Sequence, residues 1–250
     1  MKLIFTHGNK SLADFSSIVH SYKSTEFNSH KKSTVPLLLF WKNYENEIKR
    51  LFKYLAIIAP DKLSACFEYE VPAQSGRGKP SYTDLMLLSD QTAIAIEAKY
   101  TEPPYDTVKK WLGKPISENR RDVLNGWISL IKNVTELPLT ADDFHELPYQ
   151  MVHRLASVCY PDVLNRILIY QVFNPDNKKK LYYENKLRSL SEKINSIKIY
   201  LMIVPILKSD AYMEFENEWD KGSRNLSEKV INGIIDGNFF TFKQSELVKF

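Results

Sequence analysis

Cysteine is scarce: Cys66 and Cys159 are the two in 250 residues, too few and too far apart to staple a small fold or build a cysteine zinc site. Both sit among apolar neighbours, so buried free thiols in a reducing cytoplasm are the expected state. Long hydrophobic runs are missing too. The longest, Tyr200 to Leu207, contains Pro205 and is too short to span a bilayer. The opening Met1-Lys2-Leu3-Ile4-Phe5 turns polar at once at Thr6-His7-Gly8-Asn9-Lys10, unlike a secretory leader. A soluble, cytoplasmic protein with no membrane partner is expected. No Gly-rich phosphate loop of the Walker kind occurs, which argues against nucleotide-driven chemistry. There is no internal repeat and no low-complexity tract. Neither sign of charge dominates: 34 Lys and Arg stand against 30 Asp and Glu, a net charge of +4 that permits nucleic-acid binding without demonstrating it.

What is present is ordinary globular composition, 44% hydrophobic and 26% charged, at a length that suits one domain. Residues 1–35 are polar, rich in Ser, Lys and His, and read as an arm or lead-in. Residues 36–250 read as a single domain. Pro36 opens a helical pattern in which Trp41, Tyr44, Ile48, Leu51, Leu55 and Ile58 recur at steps of three and four until Pro60. The period then changes to two. Cys66–Val71, Thr83–Leu88 and Thr92–Tyr100 read as strands, the last two joined by the short turn Ser89-Asp90-Gln91 as an antiparallel hairpin. Helices follow over Val123–Ile131 and Tyr149–Cys159, then a strand over Arg166–Phe173. A basic stretch from Asn177 leads into a helix carrying Leu187, Leu190 and Ile194, and a strand covers Ile197–Leu207. This order predicts an α/β sandwich around a mixed sheet.

The hairpin carries the chemistry. Centred between Asp90 and Gln91, it pairs residues whose numbers sum to 181, so Asp84 faces Glu97 with Cβ atoms about 5 Å apart. Lys99, two residues beyond Glu97, points to the same face. The neighbours Leu85, Met86, Leu87, Ile94 and Ile96 are apolar. Two carboxylates side by side in apolar surroundings repel unless a cation lies between them. Mg²⁺, with Mn²⁺ as a substitute, suits one or two carboxylates plus waters and phosphate oxygens, and the main-chain carbonyl of Ala98 can add an oxygen. A metal so held supplies an activated water and charge stabilisation at a phosphoryl group, with Lys99 alongside to manage that water.

Asp84 followed by Glu97-Ala98-Lys99 on the next strand resembles the signature of the PD-(D/E)XK phosphodiesterase superfamily of restriction-endonuclease-like enzymes. Ser81-Tyr82-Thr83-Asp84-Leu85-Met86 and Ile96-Glu97-Ala98-Lys99-Tyr100 are similar to stretches of restriction-endonuclease members. The resemblance covers residues 38–175 and departs at Thr83, where the pattern has proline. It implies an α-β-β-β-α-β core with additional helices and a strand, and a Mg²⁺-dependent nuclease acting on DNA. Asp84 and Glu97 would be the metal ligands and Lys99 the water-handling residue. Gln150, at the start of the following helix, is similar to a glutamine that reaches the active centre in some members. A homodimer is an assembly the family allows, although no self-complementary surface is visible in the sequence.

Accessory residues are weighed on position alone. Glu70 and Glu47 can add a metal ligand, or remain solvated or salt-bridged carboxylates. Arg77 and Lys79, in the turn beside Asp84, are placed to meet a DNA backbone, and His153 and Arg154 lie one turn beyond Gln150. Lys109-Lys110-Trp111 and Lys178-Lys179-Lys180 are basic stretches of either kind. The acid-x-Lys triplet recurs at Glu47, Asp176 and Glu184 outside any hairpin, so context singles out the copy at Glu97. The competing readings are a catalytically inactive nucleic-acid-binding protein on the same fold and an enzyme of another phosphorylated substrate.

Overall fold

The structure, a computed structural model, describes residues 1–27, 29, 32–222 and 226–250. Along the chain run β1 (Lys2–His7), β2 (Lys10–Leu12), α1 (Phe15–Ser21), α2 (Thr34–Trp41), α3 (Tyr44–Leu55), β3 (Lys62–Val71), β4 (Ser81–Leu88) and β5 (Thr92–Lys99). Then come α4 (Val108–Leu112), α5 (Glu118–Thr135), α6 (Tyr149–Cys159), β6 (Asn165–Phe173), α7 (Asn177–Lys193), β7 (Lys198–Val204) and β8 (Ile206–Lys208). The chain continues through α8 (Asp210–Asp220), α9 (Ser227–Asp236), β9 (Phe240–Phe242) and β10 (Glu246–Lys249).

Eight strands form one sheet in the order β10-β7-β6-β5-β4-β3-β1-β2. β5, β6 and β7 run parallel, as do β1 and β3; the other neighbours are antiparallel. The chain is thus α/β, with a mixed central sheet flanked by helices. One face, carrying Phe67, Leu85, Leu87, Ile94 and Ile96, packs against Trp41, Ile48, Phe215 and Ile234 of α2, α3, α8 and α9. The other, carrying Met86, Ala95 and Leu168, packs against Trp127, Leu155 and Leu187 of α5, α6 and α7. Because both faces are covered, all eight residues of the central strand β5 are buried, and its apolar run Ala93–Ile96 follows from that. Among the described residues no helix is long and apolar enough to cross a membrane.

The structure corrects several expectations. Residues 1–35 are no loose arm: β1 pairs with β3 from Lys2↔Lys62 to His7↔Phe67, and Ile18, Val19 and Phe27 are buried. Asn28, His30 and Lys31 of that stretch lie outside the described residues. A pairing partner some sixty positions away leaves no local periodicity to read. The expected helix from Pro36 to Pro60 is two. α2 is buried on all sides from Val35 to Trp41, the mark of a fully internal helix, whereas α3 is amphipathic. α3 stops with Ala56 in the left-handed region at φ 51°, and Ile58, expected inward, is 95% exposed. The basic stretch from Asn177 is itself helical, capped by Asp176 Oδ1 accepting from Lys179 N at 2.7 Å. The expected strand to Leu207 breaks at Pro205 into β7 and β8.

The segment between β3 and β4 is held on α5. Ser75 Oγ donates to the Asp122 carbonyl, and Arg77 N donates to Asn119 Oδ1 at 2.7 Å. Gly126 of α5 is where the two backbones touch: a Cβ there would lie 2.8 Å from Ser75 N. In an open helix Gly→Ala is worth roughly 1 kcal/mol of stabilisation. Here overpacking reverses the sign, and Gly126→Ala is expected to lower the unfolding free energy by about 1–3 kcal/mol in urea titrations.

Candidate active site

β4 and β5 pair from Leu88↔Ala93 to Leu85↔Ile96, the register in which residue numbers sum to 181. There the ladder stops. β4 continues along β3 as far as Val71↔Ser81, and β5 continues along β6 as far as Lys99↔Val172. The sheet therefore splits at Asp84. The Asp84 side chain takes over the role of the departed backbone, with Oδ2 accepting from Ala98 N at 2.7 Å.

Ile94, Ile96 and Ala98 point to the α3 side of β5, so alternation sends Glu97 and Lys99 toward α6. Glu97 is 1% exposed. Its Oε1 accepts from Lys99 Nζ and from Gln150 Nε2, both at 2.6 Å, and its Oε2 accepts from Arg154 Nε. Gln150 and Arg154 are four residues apart on α6 and so share a face. Arg154 is fixed in turn by Nη1 donating to Ser81 Oγ at 2.7 Å, and Ser81 Oγ lies 2.9 Å from His153 Nδ1. Burial, followed by the Arg154 and Lys99 charges, pushes His153 well below the usual imidazole value, so it is neutral.

The two acids are shifted in opposite directions. Burial alone would raise the Glu97 carboxyl, but the charges of Arg154 and Lys99 override it and hold Glu97 below its ordinary value. Asp84 is pushed well above its ordinary value by burial and by Glu97, more than Lys99 and Arg154 offset. Burial likewise works against the Lys99 ammonium, yet Glu97 and Asp84 keep it charged. Charge is thus balanced at Glu97 and unbalanced at Asp84.

A third carboxylate joins them. In the β3–β4 register Phe67 pairs with Leu85 and Tyr69 with Thr83, which sets Glu68 opposite Asp84. Glu68 has φ +49°, a left-handed conformation that costs a non-glycine residue on the order of 1–3 kcal/mol. The strand rolls over at this point: Leu63, Ala65 and Phe67 face one core layer, Tyr69 and Val71 the other. Burial raises the Glu68 carboxyl to about 7, with Arg154 opposing and Glu97 adding to the rise. Phe67-Glu68-Tyr69-Glu70 alternates without a break in sequence, so nothing local signals the reversal.

Asp84, Glu97, Lys99, Glu68, Gln150 and Arg154 line one cleft of about 640 Å³. At its rim Lys99 Nζ lies 5.3 Å from the centre of the Tyr105 ring. Of the expected site residues, Asp84, Glu97, Lys99 and Gln150 come together here, with Ala98 tied to Asp84 through its N–H. Others do not. Glu47 lies in a separate cleft beside Phe40 and Phe242, paired with Arg50 at 2.8 Å, because its helix packs on the far face of the sheet. Glu70 and Lys79 line a neighbouring cleft, and Arg77 is anchored through its main chain to Asn119. Arg154, weighed as a phosphate contact, is spent on Glu97; its spacing of four from Gln150 was the available signal.

Among the described residues no three His, Cys, Asp or Glu side chains form a ready metal cage. Two facing carboxylates, one lacking a salt-bridge partner, form instead a sparse donor set of the kind Mg²⁺ accepts when waters and substrate oxygens complete it. Asp84 makes no salt bridge among the described residues, whereas both Glu97 oxygens are taken by Lys99, Gln150 and Arg154.

The chain belongs to a family described as a domain of unknown function, DUF6946, whose model matches residues 10–204. The match runs from β2 through β7 and contains every residue of the cleft's acidic and basic centre. No curated protein and no solved structure matches the chain.

Glu68 titrates near 7 in the folded chain against 4.5 ordinarily, so the folded state holds a proton that the unfolded chain releases. Stability contributed by this group falls as pH rises through that window. Glu68→Gln is expected to melt with wild type at about pH 4 and above it beyond pH 7. Parallel melting profiles of the two proteins across the window would contradict the assignment.

Proposed function

We propose that the chain is a metal-dependent nuclease of the PD-(D/E)XK type that hydrolyses DNA phosphodiester bonds. On this reading α3, β3, β4, β5, α6 and β6 are the restriction-endonuclease-like core. The observation that carries it is the pair Asp84 and Glu97 at the split between β4 and β5, with Lys99 hydrogen-bonded to Glu97 and no salt bridge to Asp84 among the described residues.

Asp84 and Glu97, with the Ala98 carbonyl, would hold Mg²⁺ or Mn²⁺, which when bound supplies an activated water and neutralises charge on the phosphate. The rest falls to the chain. Lys99, kept as an ammonium by its acidic neighbours, is a donor and not a base: it orients the attacking water and offsets charge building on phosphorus. Glu68, titrating near neutrality, takes the proton that the water sheds. Gln150 and Arg154 position the Glu97 carboxylate, and the neutral His153 leaves Arg154 free to do so. Cys66 and Cys159 are buried free thiols, in keeping with a cytoplasmic setting.

One observation favours a second reading. Both oxygens of Glu97 are already taken by Lys99, Gln150 and Arg154, as in a structural ion cluster, which suits a catalytically inactive nucleic-acid-binding protein on the same fold. Incubation with plasmid, linear and single-stranded DNA separates the two. Wild type is expected to cut in Mg²⁺ and to stop in EDTA, and Lys99→Ala to lose about 100-fold or more in rate while keeping its fold. DNA binding with no cutting of any substrate would establish the inactive reading.

A further inference from the structure

The catalytic cleft does not end at Asp84. Glu26, Glu68 and Tyr82 line both it and a second cleft of about 820 Å³, so the two adjoin. The walls of the second cleft come from the N-terminal segment: His7, Asn9 and Lys10 at the β1–β2 turn, Tyr22 and Lys23 after α1, and Lys79 from the segment before β4. Lys10, Lys23 and Lys79 are exposed and line this cleft and not the catalytic one; Glu26, Glu68 and Glu70 are the acids in the same wall.

Two polar atoms in its wall are left over. Tyr22 is 6% exposed, and its hydroxyl is buried with no hydrogen-bond partner among the described residues. His7 Nε2, its ring 4.6 Å from that of Tyr22, is in the same condition. Buried polar groups normally find partners, so this pair leaves unused hydrogen-bonding capacity in the wall of the cleft. Two aromatic rings lie further along the path. Tyr82, at the junction of the clefts, is 39% exposed, and Tyr105, at the far rim, is 54% exposed. An exposed ring offers its face to an unpaired base, whereas bases inside a duplex are already stacked on each other.

We propose that the second cleft is the binding track for a single DNA strand. Lys10, Lys23 and Lys79 contact its phosphates, and Tyr82 stacks on a base beside the phosphodiester presented to Asp84 and Glu97. The inference rests on the nuclease reading, and it gives that site a substrate form and assigns the N-terminal segment a role in holding it.

Fluorescence anisotropy of a labelled 20-nucleotide strand and the same sequence as a duplex, in EDTA so that nothing is cut, tests it. Wild type is expected to hold the strand more tightly than the duplex. The triple variant Lys10→Glu, Lys23→Glu, Lys79→Glu should weaken strand binding about tenfold or more, with a salt dependence shallower by about 2 logarithmic units per decade of salt, as loss of three phosphate contacts requires. Tyr82→Ala should cost about 5- to 150-fold, the range for one stacked base. Reversal of three exposed lysines away from both clefts, Lys49, Lys132 and Lys198, should do much less. The length-preserving Lys→Gln triple should shift binding in the same direction, guarding against a folding defect. Equal effects of the cleft reversal and the control reversal, tighter duplex binding, or no strand binding by wild type would overturn the track. Metal-dependent cutting by a wild type indifferent to the three lysines would leave the nuclease reading standing without it. Lysine-dependent strand binding by a chain that never cuts would do the reverse.

Discussion

Asp84 sits where β4 parts from β5, and its side chain occupies the main-chain donor that the parting exposes. A sheet that stayed zipped would bury Asp84 against Glu97 with no room for anything between them. A sheet that parted with an apolar residue at 84 would leave the Ala98 N–H unpaired inside the protein, a loss of roughly 1–3 kcal/mol. The aspartate at this position therefore makes the opening tolerable, and the opening makes the cleft. Everything chemical in the site is arranged around that gap.

The surroundings of Glu97 show how the fold tolerates a carboxylate that is 1% exposed. A buried charge is held only with partners and hydrogen bonds around it, and three side chains supply them. Lys99 comes from the same strand, while Gln150 and Arg154 come from α6, whose apolar face is locked into the sheet through Met151, Val152 and Leu155. Packing thus fixes the electrostatics. On the other side of the split, Asp84 accepts from Ala98 N, neither it nor Glu68 forms a salt bridge among the described residues, and Glu68 is held in a left-handed backbone conformation. A closely paired half thus faces a half without salt bridges that holds a residue at positive φ, the arrangement the proposed function draws on.

How far the sequence could be read follows from how local each signal is. The hairpin register is legible in the sequence because the connection is short: Leu88 pairs with Ala93 and Leu85 with Ile96, as a hairpin centred between Asp90 and Gln91 requires. α6 was readable to the residue, since Pro148 and Pro161 bracket an uninterrupted helical stripe. Features that depend on distant pairing were not. β1 is a strand because β3 accepts it, and the unbroken alternation of Phe67 to Glu70 hides a reversal imposed by tertiary structure at Glu68. The same blindness explains the accessory acids: Glu47 and Glu70 line other clefts, whereas Glu68 lines the cleft with Asp84 and Glu97. Arg154 was within reach, four residues beyond Gln150, but its pairing with Glu97 required knowing which face of α6 meets the sheet.

On the proposed reading a divalent ion supplies the positive charge that the gap at Asp84 lacks. Titration calorimetry with Mn²⁺ on wild type and Asp84→Asn addresses it without reference to any substrate. Saturable binding of Mn²⁺ by wild type, abolished in Asp84→Asn and strengthened as pH rises, is the result the account predicts. No binding by wild type at millimolar Mn²⁺, or binding that Asp84→Asn leaves unchanged, would contradict it.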